Sequence, residues 1–168
     1  MRNSIRPLLG MALGLTAAFA APAPQSFAGP AETAFLQQYV GSYTGRGELR
    51  GGRTTESVSC RLNLQSGTQR FRYTGRCVLA GETVPLSGTI SYSEERGGFV
   101  ASGTGLGTVV GQKRGNGVAF TLGRDYRQKG QRGSANITFT LSGGAVAIDF
   151  AINDEQNGVL RAAVPLRR

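Results

Sequence analysis

The most telling count in this chain of 168 residues is a zero: it has no histidine. That removes Ser-His-Asp and Cys-His nucleophile mechanisms, the commonest metal ligand, and imidazole proton transfer. Carboxylates acting in pairs would still permit glycoside hydrolysis. The adjacent pairs Glu94-Glu95 and Asp154-Glu155 both fall in short turn-like segments, where neighbouring carboxylates point into solvent. Asn153 to Gly158 lacks the acidic spacing and distant Glu of a calcium loop. Gly103 to Gly111 contains G-x-G-x-G, but no helical pattern follows it, so it is no dinucleotide fingerprint. No catalytic or metal-ligating set emerges, and no cofactor is expected.

Binding chemistry is better represented. Arg61, Arg70, Arg72 and Arg76 alternate through one stretch, and Arg124, Arg127, Lys129 and Arg132 crowd another around Tyr126. Guanidiniums take phosphate and carboxylate in forked geometry. Either group is an anion-site candidate, and equally a solvated face. Tyr39, Tyr43, Phe71 and Tyr73 fall on apolar positions, as ligand contacts or as core. A buried tyrosine would need a partner for its hydroxyl.

The elements that must position these residues are strands. Pro30 and Glu32 mark a helix start, and Phe35, Leu36, Tyr39 and Val40 fall on one side, so a short helix is expected over residues 31–40. From Tyr39 onward the period becomes two. Val58, Cys60, Leu62 and Leu64 oppose Ser57, Ser59, Arg61 and Asn63. Phe71, Tyr73, Gly75, Cys77 and Leu79 follow, then Val84 to Tyr92, and a weaker Gly-rich strand from Phe99 that resumes at Thr108. Val118 to Leu122 precedes a long basic loop, Gly123 to Gly133. Ala135 to Leu141, a Gly143-Gly144 hairpin turn, Val146 to Ile152 and Leu160 to Leu166 complete the series.

This predicts an all-β fold: a single antiparallel meander β-barrel of about 8–10 strands with a short N-terminal helix. The apolar set is too bulky for a membrane-barrel lumen, so it belongs inside. If Gly67-Thr68 is a type II′ turn, Cys60 opposes Gly75 and lies diagonal to Cys77 on the same face. Such a bridge would close ~16 residues and contribute on the order of 3 kcal/mol.

The start of the chain reads as an export signal. Arg2 and Arg6 precede an apolar run from Leu8 to about Ala20, with small-residue cleavage sites after Ala20 and Ala28. The run is shorter than the ~20 residues that span a bilayer. The expected organisation is residues 1–28 as signal peptide and start of linker, 29–40 as short helix, and 41–168 as barrel. The compartment is then periplasmic or secreted, where an even cysteine count suits a disulfide. Losing Arg2 and Arg6 from 19 basic residues leaves 17 against 10 acidic, a balance of about +7. Exported and basic, the chain is expected to meet lipopolysaccharide, anionic lipid head groups or an apolar small molecule, and no nucleic acid.

Gly41-Ser42-Tyr43, extended as Thr44-Gly45-Arg46-Gly47, resembles the Gly-x-Trp opening of calycin-type (lipocalin/nitrobindin-type) barrels, with Tyr43 in place of Trp. Nitrobindin-type barrels hold haem through a histidine that this chain lacks, so haem is not carried over. The same opening with Cys60-Arg61 and Gly75-Arg76-Cys77 is similar to small secreted alphaproteobacterial proteins, which implies an envelope location. A weaker likeness is to exported bacterial metalloprotease inhibitors. Two readings follow: a non-enzymatic envelope protein binding an apolar or anionic ligand in or on the barrel, or a protein–protein module such as a secreted protease or lysozyme inhibitor or an envelope-integrity factor. Cavity volume separates them.

Overall fold

Alternation with period two dictates antiparallel pairing, and the computed structural model shows a single sheet of eleven strands. It describes residues 29–51, 55–67, 70–79, 81–128, 131–154 and 158–168, with backbone alone at 124, 126–128, 131–132 and 154. Residues 1–28, where the export signal is expected, lie outside that description. The order is α1 (Pro30–Gln37), β1 (Gly41–Leu49), β2 (Glu56–Gln65), β3 (Phe71–Leu79), β4 (Glu82–Ser93), β5 (Gly98–Gly103), β6 (Gly107–Val110), β7 (Gln112–Arg114), β8 (Gly117–Gln128), β9 (Gln131–Ser142), β10 (Ala145–Asp154) and β11 (Gly158–Arg167).

Helix α1 ends three residues before the apolar pattern does. Tyr39 N–H donates to Leu36 O at 3.0 Å and Val40 N–H to Gln37 O at 3.2 Å, a tightened last turn that swings the chain into β1. Neighbouring strands pair as a meander, and β1 also pairs with β11, Thr44 opposite Arg167.

Three sequence expectations need correction. Cys60 stands directly opposite Cys77 with Cα atoms 4.1 Å apart, and the two form a disulfide. The β2–β3 connection is therefore longer than a two-residue turn, and Leu62, not Cys60, faces Gly75. A slip of two residues keeps every side chain on its face, so alternation alone could not choose the register. Residues 123–133 are no long loop: β8 and β9 continue as one hairpin, pairing Gly123 with Asn136 and Arg127 with Arg132. Polar residues on both faces had erased the alternation there. The Gly-rich stretch after Phe99 is not one interrupted strand either. The chain reverses at 104–106, with Gly105 at φ +72°, and β6 folds back so that Gly103 faces Gly107.

β6 and β7 are two halves of one bent segment, the last stave of the barrel. The first half bonds β5 and the second bonds β8. At the bend, Gly111 N–H donates to Phe99 O at 2.7 Å, and a Cβ there would collide with Val118 and Phe120. Only Gly lets the stave cross so close to the core. Beyond Ala119, β8 has ladder partners only in β9 among the described residues, so the ring is nearly rather than fully closed.

Val58, Leu64, Ile90, Phe120, Leu141 and Val164 are among the buried side chains that fill the interior. Helix α1 covers one end with Leu36 and Phe35, joined by Tyr39 from the turn after it, and the Phe35 and Phe99 rings lie 4.9 Å apart.

Candidate functional site

The four candidate ligand contacts are all buried. Tyr43 hydroxyl donates to Tyr39 O at 2.8 Å. Arg168 sets its guanidinium 5.4 Å over the Tyr43 ring, donates to the Tyr43 hydroxyl at 3.1 Å, and reaches the carbonyls of Gln38 and Val40. This ties the α1–β1 junction to the end of β11. Tyr39 is fully buried, and among the described residues its hydroxyl has no partner at full hydrogen-bond geometry, the Gly144 backbone being near but not well aligned. Burial pushes its pKa up, and the nearby backbone of Gly144 partly offsets this.

Tyr73 occupies a notch built across three strands. It stands opposite Gly88, which stands opposite Gly103. A Cβ at Gly88 would collide with the Tyr73 ring and hydroxyl and with Ser102 O. The phenol lies over the missing side chains and donates to Ser102 O at 3.0 Å. Burial pushes its pKa up to about 12. Tyr73 also borders a cavity of about 20 Å³ with Leu62, Leu86, Leu122, Ile137 and Phe139. That volume suits about one water, yet the wall is almost wholly apolar, so the barrel interior is a packed core at this point.

The outer face is where charge gathers. Arg61 on β2 faces Arg76 on β3, Thr44 on β1 faces Arg61, and Arg167 on β11 faces Thr44. The row Arg167–Thr44–Arg61–Arg76 crosses four strands, and all four side chains are exposed. Arg46, Arg70 and Arg72 are exposed on the same face of these strands or just before them. Among the described residues the ion pair present is Arg50–Glu48, at 2.7 Å. Among the described residues the row therefore has no carboxylate within 4.0 Å. Like charges directly opposite one another oppose sheet stability, so the fold alone does not favour this row.

Of the second basic group, Lys129 lies outside the described residues, and only the backbones of Arg124, Arg127 and Arg132 are described, on the β8–β9 hairpin. Glu94 and Glu95 are exposed in the β4–β5 turn. The β10–β11 turn pairs Asp154 with Gly158, and Glu155 lies outside the described residues. Sequence reasoning missed Arg167 and Arg168. Alternation along β11 puts Arg167 on the polar face, but only the β1–β11 closure brings it beside Thr44.

A packed antiparallel meander barrel with a helix across one end and arginines on its outer wall is the class that fold and surface define. No family model matches the chain, and no curated protein matches it. Among solved structures, the chain is similar to the crystal structure of Rv2717c from M. tuberculosis, at 14% identity and a TM-score of 0.50. The match covers 84% of this chain and 99% of that one, and it shows a shared barrel-like all-β fold.

Proposed function

We propose that the chain is a non-enzymatic envelope protein, exported to the periplasm or beyond, that binds an anionic envelope component on the outer face of β11, β1, β2 and β3. The observation that carries this reading is the unneutralised row Arg167–Thr44–Arg61–Arg76. Guanidiniums spaced across a rigid sheet suit the phosphates of lipopolysaccharide or of anionic lipids. Export is supported by the signal pattern of residues 1–28 and by the Cys60–Cys77 bridge. A non-enzymatic role is supported by the absence of histidine and by the solvent-facing Glu94 and Glu95. The calycin-type reading is supported by the barrel-like neighbour and by Tyr43, which is buried where α1 turns into β1. A lumen ligand beside Tyr73 loses support, since among the described residues the cavity bordered by Tyr73 is about 20 Å³ and does not hold an apolar small molecule.

Vesicle co-sedimentation tests the proposal. The protein is expected to pellet with vesicles containing anionic lipid well above any pelleting with neutral ones, and more weakly as salt rises. Each Arg near an anionic surface contributes about 1 kcal/mol, so Arg61→Ser with Arg76→Ser should weaken binding about thirtyfold. Unchanged binding by that folded double variant would sink the reading. The close packing around Tyr73 also favours a second one, a protein–protein module such as a hydrolase inhibitor or envelope-integrity factor. Arg-independent capture of one hydrolase from periplasmic extract would support it instead.

A further inference from the structure

A second surface feature lies on the outer face of β9, β10, β11 and the end of β1, a groove of about 780 Å³. Small residues, among them Ala151, Ala163 and Thr138, make up half of its wall, and charged side chains most of the rest. Asp149 stands in this groove, opposite Thr138 on β9 and Ala163 on β11, with Ala147 and Ala151 beside it along β10. Of these only Thr138 carries a polar side chain, and its hydroxyl is shared with Thr121 at 3.0 Å. Among the described residues Asp149 has no cation within 4.0 Å and no side-chain hydrogen bond. Burial raises its carboxyl pKa. A half-buried carboxylate with no partner costs stability and returns none, which marks it as a candidate for ligand binding.

The other charges of the groove lie toward one end. Arg161 is two residues along β11 from Ala163, and its backbone exchanges 2.8 Å hydrogen bonds with that of Arg50. Glu48 holds the Arg50 guanidinium at 2.7 Å. Asp149 and Glu48 thus balance Arg50 and Arg161, and the groove is locally neutral in a strongly basic chain. A plain anion would meet Asp149, and a plain cation would meet Arg161. A molecule carrying both charges satisfies the two together.

We propose that this groove binds a zwitterion, its ammonium on Asp149 and its phosphate or carboxylate on Arg161 beside Arg50. The site is separate from the arginine row and does not rest on it. Titration of the purified protein with O-phosphoethanolamine and with glycylglycine, followed by amide NMR, tests it. Saturable shifts at Ala147, Ala151 and Ala163 are expected with at least one of the two. Ethanolamine or inorganic phosphate alone should bind more weakly by at least about tenfold, because each forfeits a charge-assisted contact. Asp149→Asn and Arg161→Ser should each weaken binding by a similar factor, and Arg61→Ser with Arg76→Ser should not. Asp149-dependent pelleting with phosphatidylethanolamine vesicles would make the source a lipid head group. Binding of the soluble probes without pelleting would make it a free solute. The proposal is overturned if neither probe gives saturable shifts, or if phosphate alone binds as well and Asp149→Asn changes nothing.

Discussion

At the scale of single residues, two positions separate what the fold needs from what it tolerates. Gly88 is a packing requirement, because its missing side chain is the space that the Tyr73 phenol fills. Gly88→Ala is expected to destabilise by about 3 kcal/mol, as overpacking of a filled core does, measurable as a lower denaturation midpoint with an unchanged m-value. Asp149 is the opposite case. Its carboxyl pKa is raised by burial, so the folded state holds its proton more tightly than the unfolded state. Stability on this account falls as pH rises from the ordinary carboxylate range through the raised value, and stays lower above it. The charged groups that line the groove with Asp149 are Arg161 from β11, Glu48 from β1 and Arg50 just after β1, while β9 presents Thr138. Asp149→Asn should therefore melt no lower than the parent at neutral pH, with its advantage shrinking as pH falls. A lower melting temperature at neutral pH would mark Asp149 as a structural partner instead.

Elements are held together where alternation alone leaves them loose. The β2–β3 hairpin has a connection too long to fix its register by turn chemistry, and the Cys60–Cys77 bridge pins it with the cysteines directly opposed. Cys60→Ser, or reductant, should cost about 3 kcal/mol in the chain-entropy account. Thermal melts with and without reductant measure that loss, and identical melts would argue that the bridge contributes nothing. Helix α1 is eight residues long and marginal by itself. It is kept by Leu36 in the core, by Phe35 against Phe99, and by Arg168 bonding the carbonyls just after it. The paired β8–β9 hairpin carries part of the second basic group on a regular scaffold, which a loop would not provide.

For the whole molecule, the described residues form a barrel with an apolar side-chain core inside and exposed arginines outside, and recognition is proposed to fall to that outer wall. The purified protein is accordingly expected to show its bare mass by native mass spectrometry, two daltons below the reduced value because of the disulfide. An apolar molecule released only on denaturation would contradict a filled interior. Given the excess of basic over acidic residues, the proposed association with anionic surfaces is expected to depend on salt, in rate as well as affinity.

Much of this was legible in the residues themselves. The apolar sets Val58–Leu64, Ile137–Leu141 and Val146–Phe150 alternate cleanly, because each strand has one buried face and one wet face. The same rule placed Arg61, Arg72 and Arg76 outside and Tyr39, Tyr43, Phe71 and Tyr73 inside. Register was not legible, since sliding a strand by two residues preserves its faces, and so the opposition of Cys60 and Cys77 had to come from the fold. The hairpin across 123–133 was hidden because backbone hydrogen bonds, not an apolar stripe, extend it. Whether the barrel is hollow was undecidable from Leu, Ile and Phe, which line filled and open barrels alike. The sequence by itself determined an alternating, histidine-free, basic chain with an apolar face to bury. Only the tertiary structure decided that Arg167 joins Arg61 and Arg76 in one row, and that Asp149 lies among alanines in a groove. Both depend on closure of β1 onto β11 and on strand-to-strand register, long-range pairings that no local pattern encodes.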